Sequence, residues 1–182
     1  MVNNDPHLKE VFPLPPLVAY KRPPNIKDKL IRAKVPDKTS QRPKRMLPGM
    51  QKCLNCPICP YVQTGKTVKS TSNNFTVDIN TSVTCKSKNI IYCISCPKCR
   101  VQYVGESDRT LQERFSEHRG YVNNRHLNKA TGEHFNLPGH SVADMKVTIL
   151  EKIYSQDEMI RKEREAMFIS KMNTKYKGMN KK

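Results

Sequence analysis

Ile90-Ile91-Tyr92-Cys93-Ile94-Ser95-Cys96-Pro97-Lys98-Cys99-Arg100-Val101-Gln102-Tyr103-Val104-Gly105 is the stretch that decides the fold. Asn89 to Ile94 is a short run rich in β-branched and aromatic residues, which reads as a buried strand, and Val101 to Gly105 reads as a second. Six residues separate them, including the Cys-Pro-Lys-Cys turn, so the two pair as a hairpin. Side chains alternate along a strand, which puts Ile90, Tyr92 and Ile94 on one face. Tyr103 sits just before Gly105, where the chain can turn sharply. Two tyrosines on paired strands can therefore meet in one cleft.

Downstream, Thr110-Leu111-Gln112-Glu113 is a capping box, and the helix it opens should run to about Val122. Gly132 to Gly139 is loop-like. Met145 to Ile153 reads as a third strand. Ser155 or Gln156 to Met172 reads as a helix, with Met159, Ala166, Ile169 and Met172 among its apolar residues. The order strand, strand, helix, loop, strand, helix predicts a small α/β fold, a three-stranded sheet flanked by helices.

Upstream the composition changes. Residues 1–48 hold nine of the thirteen prolines, and residues 1–52 carry twelve Lys or Arg against four Asp or Glu. Proline fixes its own backbone and restricts its neighbour, so 1–48 reads as a basic, mostly extended linker. Asn25 to Ala33 could form one short helix, and Pro13-Leu14-Pro15-Pro16 has a PxxP spacing that a linker explains. Residues 49–88 form a cysteine-rich, knuckle-like segment with a zinc-stabilising pattern. Within it, Phe75 to Ile79 alternates like a short strand. Residues 89–182 form the α/β domain.

The net charge is +17 and the sequence pI about 9.7. Such an excess of basic side chains favours a polyanionic partner, because they displace counterions condensed on phosphates. No apolar run approaches the roughly 20 residues that span a bilayer, so no membrane partner is expected. The first ten residues lack the apolar core of a secretory signal. Seven cysteines, six in two tight clusters, then point to metal rather than disulfides.

Phosphodiester hydrolysis needs a deprotonated water, charge stabilisation at phosphorus and help for the leaving oxygen. Arg114 and His118 are four apart on the expected helix and share a face. The guanidinium can hold a phosphate, and the imidazole can move a proton near neutral pH. Glu165 falls on a stripe with Phe168, Ile169 and Met172, where a carboxylate is costly unless paired or metal-bound, and a hydrated oxygen site suits Mg²⁺. Glu163 is the alternative carboxylate. Cys96, Cys99, His134 and His140 can close a tetrahedral zinc site that clamps the hairpin to the later loop. Cys53, Cys56, Cys59 and Cys85 could form a second, all-thiolate site, or two or three of them could bind with water. Three cysteines at three-residue spacing need a tight turn to meet on one ion. Cys93 competes for a ligand slot, but a strand position suits it as a small apolar residue.

The series Ile90-Ile91-Tyr92, Tyr103-Val104-Gly105, Arg114, His118, Glu165 and Asn180 resembles the GIY-YIG nucleases. The interposed Cys96 and Cys99 are similar to those of the endonuclease of Penelope-like retroelements. The first motif has isoleucine where the family name has glycine, and Glu106 stands where some relatives carry lysine. The resemblance implies a DNA endonuclease that uses Mg²⁺ or Mn²⁺, with structural Zn²⁺. Tyr92 would orient water or phosphate, Tyr103 would act as general base and Arg114 would bind phosphate. His118 would be a second proton-transfer group, Glu165 the metal ligand, and Asn180 a late supporting residue counted with the catalytic set. It also implies DNA, element RNA and a reverse transcriptase domain as partners, and a nuclear location. The other class of reading is a zinc-stabilised nucleic-acid-binding module without catalysis.

Overall fold

The computed structural model describes residues 47–180 and the single positions Glu10, Pro23 and Ile26. The expected linker and the expected helix at Asn25 to Ala33 lie outside the described residues, apart from those positions. Residues 47–180 belong to one compact unit. In chain order it holds β1 (Gly49–Gln51), β2 (Thr67–Lys69), β3 (Thr76–Asp78), β4 (Ser82–Thr84), β5 (Ile90–Ser95) and β6 (Gln102–Ser107). These are followed by α1 (Leu111–Asn123), α2 (Ala130–Phe135), β7 (Lys146–Lys152), α3 (Glu158–Lys171) and α4 (Thr174–Lys177). Single 3₁₀ turns lie at Cys59–Tyr61 and Val142–Asp144.

Strand β5 organises this unit because it is buried on both faces. Ile90, Tyr92 and Ile94 pack with Leu111, Phe115 and Val122 of α1. Ile91 and Cys93 pack the other way, with Phe168 and Met172 of α3. A strand apolar on both faces belongs in the middle of a covered sheet, and the order is β6-β5-β7, antiparallel throughout. The hairpin register sets Tyr92 opposite Gly105 and Ile94 opposite Tyr103. On the other side a bulge between Ile91 and Tyr92 shifts the pairing with β7.

The cysteine-rich segment shares this core. Met50, Ile58, Val83 and Cys85 are buried in the same cluster as Tyr92 and Phe115. Packing therefore continues without a break across residues 88 and 89. Parallel pairing joins β1 to β4, and β2 and β3 form a hairpin.

Exposed edges of so small a sheet would leave rows of unpaired amides and carbonyls. Both edges are covered. On β7, Val147 O accepts from Gln63 N at 2.9 Å. On β6, Gln102 O accepts from Met179 N at 2.9 Å. The Asn180 amide then mimics a strand: its Oδ1 accepts from Val104 N at 2.8 Å and its Nδ2 donates to Val104 O at 2.7 Å.

Two expectations are corrected. The stretch from Gly132 to Gly139 is not all loop, because Ala130–Phe135 is a helix. Gly132 is buried there, and a Cβ on it would collide with the His126 carbonyl. Close packing against the end of α1 overrides the poor helix propensity of glycine. In α3, Met159 does not face inward but is 77% exposed. The inner position in that first turn is taken by Arg161, whose Nε lies 3.0 Å from Glu106 Oε2.

Replacing Asn180 with alanine strips Val104 of both edge partners. We expect a loss of about 2 kcal/mol, the cost of stranding buried backbone groups, read as a lower urea midpoint. An unchanged midpoint would show that the edge is satisfied some other way.

Candidate active site and metal centres

Helix α1 begins directly after β6, and its capping box is formed: Glu113 N donates to Thr110 Oγ1 at 3.2 Å, and Thr110 N to Glu113 Oε2 at 2.9 Å. This start sets the phase that aims Arg114 and His118 at β5. Tyr92 is fully buried, so its hydroxyl must find partners inside the protein. Arg114 Nε donates to it at 3.0 Å, and His118 Nε2 lies 2.7 Å away. His118 Nδ1 in turn lies 2.9 Å from Thr131 Oγ1. An arginine can only donate, so the Tyr92 oxygen accepts from Arg114, and the direction of the two His118 contacts is set by which ring nitrogen carries the proton. Gly105 makes room for this. A Cβ there would sit 2.5 Å from the Tyr92 hydroxyl and 2.9 Å from the Tyr103 ring.

A cavity of about 250 Å³ opens beside this chain, lined by Tyr103, Arg114, His118, Tyr121, Lys129 and Thr131 among others. The Tyr103 ring meets His118 edge-on at 5.4 Å and lies 6.4 Å from Tyr92. Burial and the Glu165 carboxylate raise the Tyr103 pKa, against the opposing pull of Arg114 and the Tyr92 hydroxyl. Burial also pushes Tyr92 well above the ordinary phenol value. His118 is pushed down to about 3, first by burial and then by the Arg114 charge, so it is neutral near pH 7.

Glu165 is half-buried on α3, at the outer edge of β6. Burial and the nearby Glu106 carboxylate raise its pKa, while the Glu106 backbone amide, Arg114 and Lys162 act the other way. A single, partly desolvated carboxylate with a like charge beside it is a group that gains from a divalent cation. Glu163 is exposed. Tyr92, Tyr103, Arg114 and His118 are thus brought together, and Glu165 is close enough to act on Tyr103 and Arg114. Asn180 is not among the cavity-lining residues; both ends of its amide are used on Val104, so it supports β6 from outside.

Sequence reasoning missed Glu117, Tyr121 and Thr131. Glu117 lies three residues after Arg114 and four before Tyr121, a helical spacing that could have revealed it. Thr131 carried no such mark, because α2 reads as a loop.

Both cysteine clusters have the geometry of a metal site. The four sulfurs of Cys53, Cys56, Cys59 and Cys85 lie within 4.8 Å of one another. Cys59 Sγ is 3.4 Å from that of Cys56, 3.7 Å from Cys53 and 3.8 Å from Cys85. A tetrahedron with zinc–sulfur bonds of about 2.3 Å has edges of about 3.8 Å. The tight turn that three closely spaced cysteines require is present: Leu54 is left-handed at φ 71°, and Cys59 N bonds to Cys56 O at 3.1 Å. This cluster could bind zinc.

In the second cluster the ligand atoms of Cys96, Cys99, His134 and His140 also lie within 4.8 Å. Cys99 Sγ is 3.2 Å from His134 Nε2. His140 Nδ1 rests 3.3 Å from Pro138 O, and its Nε2 is buried with no hydrogen-bond partner among the described residues. An orphan imidazole nitrogen beside two thiols fits a metal ligand. Cys93 belongs to neither group and is buried in the strand. All seven cysteines are free thiols.

A family model described as the GIY-YIG catalytic domain matches residues 88–180, just over half of the chain. No curated protein and no solved structure matches. Among the described residues no helix is long and apolar enough to cross a membrane.

Two outcomes follow from this geometry. The His118 pKa is depressed on folding, so the unfolded chain binds more protons between pH 6.5 and about 3. Stability should therefore fall as pH drops below 6.5, and the urea midpoint of His118→Gln should fall less steeply over that range. Equal slopes would contradict the buried neutral imidazole. Removing metal with a strong chelator should lower the melting temperature of the wild type, with a smaller further loss in Cys53→Ser or His140→Ala, because site and fold form together.

Proposed function

Because the chain belongs to the GIY-YIG catalytic domain family, whose members are metal-dependent nucleases acting on DNA, we propose that it is a DNA endonuclease that nicks its target by phosphodiester hydrolysis. The observation that carries this reading is the junction at Tyr92. Arg114 and His118 meet on its buried hydroxyl, while Tyr103 and Arg114 line the adjoining cavity.

In this reading Arg114 holds the scissile phosphate and keeps its charge, because the Tyr92 and Glu117 oxygens around it outweigh the cost of burial. Tyr103 is the phenol on the cavity wall; burial and the Glu165 carboxylate keep it protonated, so it would take the proton of the attacking water only once a cation held at Glu165 had favoured loss of its own proton. Tyr92 has no exposed surface, so it acts by orienting Arg114 and Tyr103. His118 shares a hydrogen bond with the Tyr92 hydroxyl and holds that phenol in place. Glu165 would hold a divalent ion, Mg²⁺ or Mn²⁺, which when bound supplies charge neutralisation at the phosphate. Zn²⁺ in the two thiolate-containing clusters would be structural.

The position of Cys96 and Cys99 between the two tyrosine motifs supports a place in the Penelope-like branch. There the nick would prime reverse transcription in the nucleus, with element RNA and a reverse transcriptase domain as further partners. The net charge of +17 suits such substrates.

Supercoiled plasmid incubated with the protein and Mg²⁺ tests the reading. Wild type should give nicked circles, and Arg114→Ala, Glu165→Ala and Tyr103→Phe should each slow nicking by about 100-fold or more. Plasmid left intact by wild type but still bound would favour the non-catalytic binding module. Equal nicking by all four proteins would reject this assignment of the site.

A further inference from the structure

Glu117 stands at the centre of the hydrogen bonds around the cavity, and the reaction described above uses it only to support the Arg114 charge. Its Oε2 accepts from Arg114 Nη1 at 2.6 Å and from Arg109 Nη2 at 2.7 Å. Its Oε1 accepts from the Tyr121 hydroxyl at 2.5 Å. Arg114 and Tyr121 both line the cavity. The Tyr121 ring also stands edge-on to His118, 5.7 Å away at 85°.

We propose that Glu117 is a positioning residue for phosphodiester cleavage, setting Arg114 and Tyr121 relative to each other at the scissile phosphate. The proposal rests on the nuclease reading. Arg114 is held at two points, Nε by Tyr92 and Nη1 by Glu117, which together with its own Cδ define the plane of the guanidinium. Without Glu117 the group can pivot about Nε, and a displacement of about 1 Å can cost two orders of magnitude in rate. The same carboxylate turns Tyr121 into a third phenol held at the cavity. Its hydroxyl proton is committed to Glu117, so its oxygen lone pairs are left to accept from water or a substrate hydroxyl. Arg109, half exposed, adds its charge to Glu117 at 2.7 Å. The Tyr121 hydroxyl, with Arg114 and Arg109, holds Glu117 down to about 2 against burial, so its charge persists at every working pH.

The test uses the full chain with its metals. Glu117→Ala should lower kcat about 100-fold with little change in KM for plasmid, the pattern of a group that serves the transition state. Glu117→Gln keeps a carbonyl for Arg114 and should recover most of the lost rate. Tyr121→Phe should lower kcat in part, and adding it to Glu117→Ala should cost nothing more, since the two act through one contact. A second readout does not depend on cleavage. The Arg114 Nη1–H resonances should exchange slowly with solvent in wild type and Glu117→Gln, and rapidly in Glu117→Ala, while Nε–H, held by Tyr92, stays protected in all three. Wild-type kcat in Glu117→Ala, or an Nη1–H that stays protected there, would overturn the proposal. If the wild type does not cut DNA, the nuclease reading fails, and the Nη1–H exchange alone decides whether Glu117 orders Arg114.

Discussion

A phenol with no exposed surface sits in the middle of this protein. The Tyr92 hydroxyl cannot reach water, and an unpaired polar group at that depth would cost a few kcal/mol. Everything around it is arranged to prevent that cost. The capping box starts α1 in the phase that delivers Arg114 and His118 to one oxygen. Gly105 leaves the opening through which the ring crosses the hairpin. Thr131, from the short helix whose Phe135 is buried in the core, completes the chain at His118. Core and candidate site are therefore one object: the contacts that satisfy the buried phenol also place the charged group beside the cavity.

The outer edge of β6 ties the far end of the chain to the same place. Met179 and Asn180 cap Gln102 and Val104, and Glu165 lies near enough to the Glu106 backbone amide for it to favour the charged carboxylate. A helix and a tail that follow β7 in sequence thus hold the strand carrying Tyr103. Three strands with two main helices make a thin core, and small cores commonly need added staples. The two cysteine clusters stand where such staples act. One brings the turn at Cys53–Cys59 to Cys85, next to β5, and the other brings the tip of the β5–β6 hairpin to His134 of α2 and His140 of the loop after it. With an ion in each, both would limit movement of the hairpin on which both tyrosines lie.

Periodicity and caps made the frame readable. The doubly apolar run at Ile90–Ile94, the six-residue connection and the capping box at Thr110 are local features, and the structure has a central strand, a hairpin and a helix there. Two readings failed for non-local reasons. Ala130–Phe135 is helical because it packs on α1, although its composition argues for a loop. The first turn of α3 turns Met159 outward because Arg161 meets Glu106, a residue 55 positions earlier.

From its residues alone this chain specifies which groups exist for chemistry: two tyrosines on paired strands, a basic and an imidazole side chain on one helical face, and thiols at metal-binding spacings. These depend on alternation and helical repeat, which act over a few residues. What each group does in space came only with the tertiary structure. Tyr92 became a buried hub and Tyr103 the wall of the cavity, because register and the absence of a Cβ at Gly105 set their depths. Asn180 became a brace, because a hydrogen bond is decided by which partner the fold brings within about 3 Å. Distances of that kind between remote segments are not carried by any local pattern.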